Sequence, residues 1–173
     1  VIFINQFGFN RQCCGQRMPY DMEFMDIRKG TDVEFGQSIY EPFGIAQLEP
    51  LCFGGLCVVT SLCGCAGFVR AVTNGQKVPN VIEVDYTNLN GQRGMSLEDL
   101  LKIDRQFRDQ IEYKVSEKAA LEICARLPRK DDDFNQLLRS GYELARHMSW
   151  EAVVEKYFLK SLNKALRKQH KPK

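Results

Sequence analysis

Two carboxylates, Glu41 and Glu49, stand on either side of a turn formed by Pro42, Phe43 and Gly44, with seven residues between them. Carboxylates accept hydrogen bonds from hydroxyl groups and stabilise positive charge that develops nearby. Backbone N–H groups that are unpaired at such a turn donate hydrogen bonds to anions such as phosphates. The stretch therefore combines two carboxylates with backbone donors that suit a diphosphate.

The residues after this turn predict a short helix over 45–53. Glu41 would then lie in a loop and Glu49 one turn into the helix. The first N–H groups, at Gly44 and Ile45, would be free at the positive end of the helix dipole, where a diphosphate fits. Pro50 removes one hydrogen bond and disfavours helical conformation at Glu49, so we expect a kink that would move this carboxylate.

The elements that position these residues are strands alternating with short helices. Apolar or β-branched runs predict strands at residues 1–4, 32–35, 56–60 and 81–84, with helices at 22–28 and 66–72. This alternation predicts an α/β fold with a parallel sheet, whose ligands bind outside the carboxyl ends of the strands. Four strands are few for a doubly wound sheet, and we expect further strands before Val1.

Beyond Gly94 the pattern is helical. Ser96, with Asp99 three residues later, predicts the beginning of one long helix or two, which Pro128 ends. A further helix follows Asp131, and Ser149 is expected to cap a last helix that begins at Trp150, whose indole we expect in the core. We expect two parts of one domain, a Rossmann-like part over 1–95 and a helical C-terminal extension over 96–173.

Length and charge agree with one ordinary globular domain of 173 residues. The formal net charge is +2, but residues 156–173 hold seven basic side chains and no acidic one, which leaves 17 basic against 22 acidic side chains in residues 1–155. A cationic tail suits nucleic acid or anionic lipid, or simply a solvated helix end with favourable charge. We favour the solvated end, and expect no nucleic-acid or membrane partner.

Seven cysteines are present without any Cys-x2-Cys pair, which zinc sites usually show. Four of them lie in or beside an apolar strand, where cysteine behaves as a small hydrophobic residue. We therefore expect buried free thiols, no metal site, and a reducing compartment, the cytoplasm.

The sequence around Glu41 and Glu49 resembles a motif of a known enzyme family. Residues 32–38 and the string Tyr40-Glu41-Pro42-Phe43-Gly44 resemble the strand and the P-S-x-x-E-P-x-G loop of retaining nucleotide-sugar glycosyltransferases of the two-domain GT-B type, which carry an E-x7-E motif. The similarity is greatest to glycogen and starch synthases and their relatives. Residues 54–60 resemble the next strand of these enzymes, and Ser149-Trp150 the beginning of their last helix. The resemblance covers residues 1–73 and 136–160.

The resemblance implies a role for each matched residue. Glu41 would contact the hydroxyls of the donor sugar and stabilise positive charge at its anomeric carbon. Phe43, Gly44 and Ile45 would offer backbone contacts to the sugar or the diphosphate, while the Phe43 ring either packs in the core or contacts the ligand. Glu49 would accept hydrogen bonds from the ribose hydroxyls. No cofactor and no metal are implied.

The resemblance also implies partners: ADP-glucose or UDP-glucose as donor, an α-glucan acceptor, and an N-terminal GT-B domain without which we expect no transfer. Three features depart from the family. Pro50 follows Glu49 where an alanine is common. Gly64-Cys65 stands where a Gly-Gly pair is common, and the Arg/Lys pair that holds the diphosphate has no counterpart, since Arg11, Arg17 and Arg70 lie elsewhere. A non-catalytic nucleotide-binding or interaction module is the alternative. A flavodoxin-like ligand-binding domain would leave the 40–49 string unexplained.

Overall fold

A small parallel sheet organises the first half of the molecule. The computed structural model describes residues 12, 18–36, 41–87 and 95–169. Strands β1 (Val33–Gly36), β2 (Leu56–Thr60) and β3 (Val81–Val84) are parallel in the order β1-β2-β3. These three strands confirm the α/β fold class and the predicted parallel sheet. The fourth predicted strand, at residues 1–4, lies outside the described residues.

The sheet is covered on both faces, which is why its central strand β2 is buried at every position. All five residues of β2 are buried. Alternate side chains enter different clusters: Cys57 and Val59 pack with the helix that follows β2, whereas Leu56 and Val58 pack with residues of later helices. This arrangement explains why the strand is a continuous apolar run rather than an alternating one.

Seven α-helices and three short irregular helices lie in the described ranges. The α-helices are α1 (Phe24–Lys29), α2 (Gly64–Val72), α3 (Leu97–Leu101), α4 (Arg105–Arg126), α5 (Asp131–Ala145), α6 (Trp150–Val153) and α7 (Leu159–Gln169). Two 3-10 helices span Glu49–Phe53 and Arg146–Met148, and a π-helix spans Val154–Phe158. None of the helices described here is long and apolar enough to cross a membrane.

The predicted helix beginnings are confirmed by their caps. The Ser96 hydroxyl accepts a hydrogen bond from the Asp99 N–H at 3.1 Å, and the Ser149 hydroxyl accepts one from the Ala152 N–H at 3.3 Å. Side-chain caps of this kind satisfy N–H groups that have no partner within the helix. The Asp104 carboxylate caps α4 in the same way, at 2.8 Å from the Phe107 nitrogen.

The later helices pack directly on the sheet region. Asn80 is fully buried, and its side-chain amide donates hydrogen bonds to the carbonyls of Gly55 (3.2 Å) and Leu137 (3.0 Å). Helix α5 crosses the 3-10 helix at Gly141, where a Cβ would stand only 3.0 Å from the Leu51 carbonyl carbon. The close approach requires glycine at this position.

One prediction about burial is wrong, and another holds only in part; Cys13 and Cys14 lie outside the described residues. Trp150 is 81% exposed rather than part of the core, since it stands at the first position of the four-residue helix α6. The expected burial of the thiols holds for Cys57, Cys63 and Cys65, but Cys52 and Cys124 are exposed. Cys52 falls on the outer side of the 3-10 helix, whose neighbours Pro50 and Leu51 are buried instead.

Candidate functional site

The loop that carries Glu41 lies where the carboxyl ends of β1 and β2 meet the beginning of α2. Its backbone is fixed there by two hydrogen bonds: the Gly64 N–H donates to the Glu41 carbonyl at 3.1 Å, and the Cys65 N–H donates to the Phe43 carbonyl at 2.7 Å. This is the edge of a parallel sheet at which α/β proteins bind ligands.

The short helix predicted over 45–53 forms only over its second half, and as a 3-10 helix. Residues 46–48 form a turn, in which the Leu48 N–H donates to the Ile45 carbonyl at 3.0 Å, and a 3-10 helix begins only at Glu49. Pro50 is the physical reason, because its ring disfavours α conformation at the residue before it. Glu49 is therefore the first residue of a short 3-10 helix and does not lie one turn into an α-helix.

Free donors are nevertheless present where the sequence predicts them. The backbone N–H groups of Gly44 and Ile45 donate no hydrogen bond to any part of the chain that the structure describes. Gly44 is buried and has a left-handed φ of +80°, whereas Ile45 is 68% exposed. A left-handed residue in a turn directs neighbouring N–H groups towards one side, which makes a concave binding site for anions.

The beginning of α2, by contrast, has no donor left for a ligand. Gly64 and Cys65 donate to the loop, and the next two N–H groups, at Ala66 and Gly67, donate to the Cys63 carbonyl at 3.1 and 3.4 Å. The loop therefore occupies the helix N-terminus, a common position for a bound phosphate. The loop's own N–H groups, and not those of α2, are therefore the donors that a phosphate could meet between these described residues.

Gln47 is a residue of the site that the sequence reasoning missed. Its side chain passes over Gly36 and Gly44, and a Cβ on Gly44 would stand 2.5 Å from Gln47 Oε1 and 2.9 Å from Cys63 Sγ. Gln47 Oε1 is buried and has no hydrogen-bond partner in the described ranges. A buried carbonyl oxygen without a donor is costly, so Gln47 Oε1 is a candidate acceptor for a further donor. In the sequence, the position of this side chain is indicated by Gly36 and Gly44, the two glycines over which it passes.

The Phe43 ring is packed on one side and open on the other. It packs at 6.0 Å and an interplanar angle of 60° against Phe68, and the residue remains 39% exposed. Its carbonyl oxygen also accepts the Cys63 thiol at 3.1 Å. The Phe43 carbonyl is thus occupied by α2 and its cap, and the free backbone groups of the loop begin after it.

The two carboxylates have different surroundings. Glu41 is half-buried, and its carboxylate has no hydrogen bond or ion pair with the described part of the chain. The Glu49 carboxylate is held by Arg28, whose guanidinium also bonds Glu34. The hydrogen bond with Glu34 is the main reason why the pKa of Arg28 is raised above its ordinary value. Glu41 is thus anchored through its backbone to α2, and Glu49 through its side chain to α1.

No unpaired arginine lies in the stretch from α1 to the end of α2. Arg28 bonds two carboxylates, and Arg70 bonds Glu83 and donates to the Ser61 carbonyl at 3.2 Å. Arg11 and Arg17 lie outside the residues that the structure describes. Among the described residues from α1 to the end of α2, the geometry therefore supplies N–H donors for an anion but no arginine that is free to bind it.

The thiols beside the loop are held in their neutral form. Burial raises the pKa of Cys57 to about 12 and also raises the pKa of Cys65, whose sulfur lies 3.1 Å from that of Cys63. A protonated thiol is a poor nucleophile and a poor metal ligand. Within the described ranges, no three His, Cys, Asp or Glu side chains are grouped so that they could hold a metal ion.

Comparisons with known proteins add no assignment to this geometry. Neither the models of known protein families nor the curated proteins include one that matches the chain.

Proposed function

We propose that the chain forms the donor-binding domain of a retaining glycosyltransferase of the GT-B type, which transfers glucose from ADP-glucose or UDP-glucose to an α-glucan. The observation that carries the proposal is the pair of free N–H groups at Gly44 and Ile45, which stand between Glu41 and Glu49 at the carboxyl ends of β1 and β2. This set of acceptors and donors suits a sugar, a diphosphate and a ribose in sequence along one segment.

In the proposed reaction, the protein positions the donor and stabilises charge. The Glu41 carboxylate, which has no partner in the described part of the chain, accepts hydrogen bonds from the sugar and stabilises positive charge at the anomeric carbon. The Gly44 and Ile45 N–H groups bind the sugar or the diphosphate, and Glu49 binds the ribose. Positioning and electrostatic stabilisation of this kind supply the rate enhancement without a cofactor or a metal.

The acceptor and the second half of the active site belong to an N-terminal GT-B domain in this proposal. The 173-residue chain alone is then expected to elongate no glucan. We assign the activity to the cytoplasm, where buried thiols such as Cys57 and Cys65 stay reduced. Measurable glucan elongation by the isolated chain would contradict the division of the site between two domains.

Binding of the donor tests the proposal. Amide resonances are followed while ADP, ADP-glucose, UDP and UDP-glucose are added to the chain, and the shifts are expected at Gly44 and Ile45. Glu41→Gln should weaken binding of the nucleotide sugar about tenfold and leave the free nucleotide unaffected, because the lost contact is a charged hydrogen bond to the sugar. Glu98→Gln, on the exposed helix α3, is the matched control. Shifts confined to another face would refute the site.

A non-catalytic nucleotide-binding or interaction module is the second candidate. The observation that favours it is that Arg28 and Arg70, the arginines described between α1 and the end of α2, are both bonded to carboxylates and are not free to bind a diphosphate. A module of this kind would bind the free nucleotide and the nucleotide sugar equally well. Glu41→Gln would then change both affinities by the same factor, which separates the two candidates.

A further inference from the structure

The Arg28 guanidinium forms five hydrogen bonds with three residues. Its Nε donates to Glu34 Oε1 at 2.9 Å and its Nη2 to Glu34 Oε2 at 2.6 Å. Nη1 bonds Glu49 Oε2, and Nη2 also donates to the Ala46 carbonyl at 3.0 Å. One guanidinium therefore joins α1, β1 and the stretch that leads into the 3-10 helix.

The geometry of this network fixes the Arg28 side chain. Only 12% of the side chain is exposed, and the paired hydrogen bonds to Glu34 hold the plane of the guanidinium in one orientation. Nη1 then points at Glu49, whose side chain is 43% exposed. Arg28 carries one positive charge and Glu34 and Glu49 carry two negative charges, so the three side chains together keep one net negative charge. Glu49 is the more exposed of the two carboxylates.

The contact leaves half of the Glu49 carboxylate open. Arg28 bonds Oε2, whereas Oε1 has no partner in the residues described. A carboxylate has about four acceptor positions, so a further donor can be accepted on the open side. A carboxylate that is already held in one rotamer loses less conformational entropy when it binds a ligand.

We infer that Arg28 is a positioning residue, which holds the Glu49 carboxylate so that its free oxygen accepts hydrogen bonds from the vicinal hydroxyls of a ribose. The inference rests on the proposed function, since it names how the same site selects its nucleotide. Arg28 touches no ligand in this role and acts only through Glu49. It also offsets the repulsion between the Glu49 charge and the diphosphate of the ligand.

The test measures preference for ribose hydroxyls rather than affinity alone. ADP or UDP, whichever binds more tightly, is titrated in parallel with its 2′,3′-dideoxy form, and the ratio of the two dissociation constants is compared between variants. Glu49→Gln should reduce the preference about tenfold, and Arg28→Gln should reduce it almost as much. The double variant should show no further loss, because both changes remove one contact.

Arg126→Gln is the control for a purely structural role. Arg126 donates to the carbonyls of Val78, Pro79 and Val81 and has no contact with Glu49, so its loss should lower the urea midpoint while the ribose preference is kept. If Arg28→Gln does not fold, Arg28→Lys replaces it, since lysine keeps the charge but cannot bond both carboxylates and Ala46 at once. The lysine variant should lose most of the preference.

Three outcomes decide the matter. Loss of the preference in the Arg28 variant, with the preference kept in Arg126→Gln, supports the positioning role. A wild-type chain that prefers the ribose form, together with an Arg28 variant that keeps the full preference, overturns the positioning role alone. A wild-type chain that binds neither nucleotide, or binds both equally, overturns the positioning role together with the assignment of Glu49 in the proposed function.

Discussion

Replacing Gly64 by alanine tests whether the loop at residues 41–44 is held by α2. A Cβ at this position would fall on the Pro42 carbonyl group, 2.8 Å from its carbon, and 2.9 Å from the Phe43 Cα. All of these atoms belong to the backbone, which cannot turn away as a flexible side chain can. The loop must therefore move off the helix, and the hydrogen bonds from Gly64 and Cys65 to its two carbonyls are lost or stretched.

The expected size of the effect follows from these contacts. Each of the two hydrogen bonds contributes about 0.5–1.5 kcal/mol net, so about 1–3 kcal/mol is lost. Alanine returns less than about 1 kcal/mol of helix propensity at the first position of the helix. We expect Gly64→Ala to lower the free energy of unfolding by about 1–2 kcal/mol and to weaken nucleotide binding at the displaced loop.

Gly67 provides a control within the same helix. It is exposed, and a Cβ there meets nothing within 4 Å. Gly67→Ala should therefore stabilise the protein by up to about 1 kcal/mol. With a slope of about 1–3 kcal/mol/M, the urea midpoints of the two variants should differ by roughly 1 M. Equal midpoints, or unchanged nucleotide binding in Gly64→Ala, would refute the docking of the loop on α2.

Three further predictions concern parts of the molecule outside the loop. Asn80→Leu should lower the free energy of unfolding by about 2 kcal/mol, because two hydrogen bonds to carbonyls are lost from a fully buried position; an unchanged urea midpoint would contradict this. Burial raises the pKa of Cys57 to about 12, so the neutral thiol contributes fully to stability below pH 9 and this contribution is lost as the pH rises towards 12. The urea midpoint should therefore fall between pH 9 and 12, and it should fall less steeply in Cys57→Val. Phe158 and Leu162 are 59% and 44% exposed, so the chain should self-associate through its last helices. The sedimentation coefficient should then depend on protein concentration in the wild type but not in Leu162→Glu.

The parts of the fold that local patterns determine could be predicted from the sequence. Strand β2 is a β-branched apolar run bounded by Gly55 and Ser61, and no other element fits that composition. The helices after Ser96 and Ser149 begin where a hydroxyl can reach an N–H group three residues later. These signals act within one turn of the chain, so no knowledge of the packing was needed.

The parts that were missed depend on contacts between distant residues. Arg28 and Glu49 are 21 residues apart, and no spacing rule predicts their ion pair. The indole of Trp150 follows a helical apolar pattern, yet its place at the beginning of α6 leaves it in solvent. Pro50 differs from these two cases, because its effect is local. The sequence predicts a kink at this residue, whereas in the structure no α-helix forms at 45–49.

The loss of that helix changes how the loop could bind an anion. An α-helix would supply donors together with its dipole, whereas the observed loop supplies donors only, and these must be held by other contacts. The structure holds them at both ends: the carbonyls of Glu41 and Phe43 are fixed by α2, and the Ala46 carbonyl and the Glu49 carboxylate are fixed by Arg28. The free N–H groups lie between these two anchored ends. A ligand therefore meets donors that are already ordered, so less of its binding free energy is offset by the loss of loop entropy.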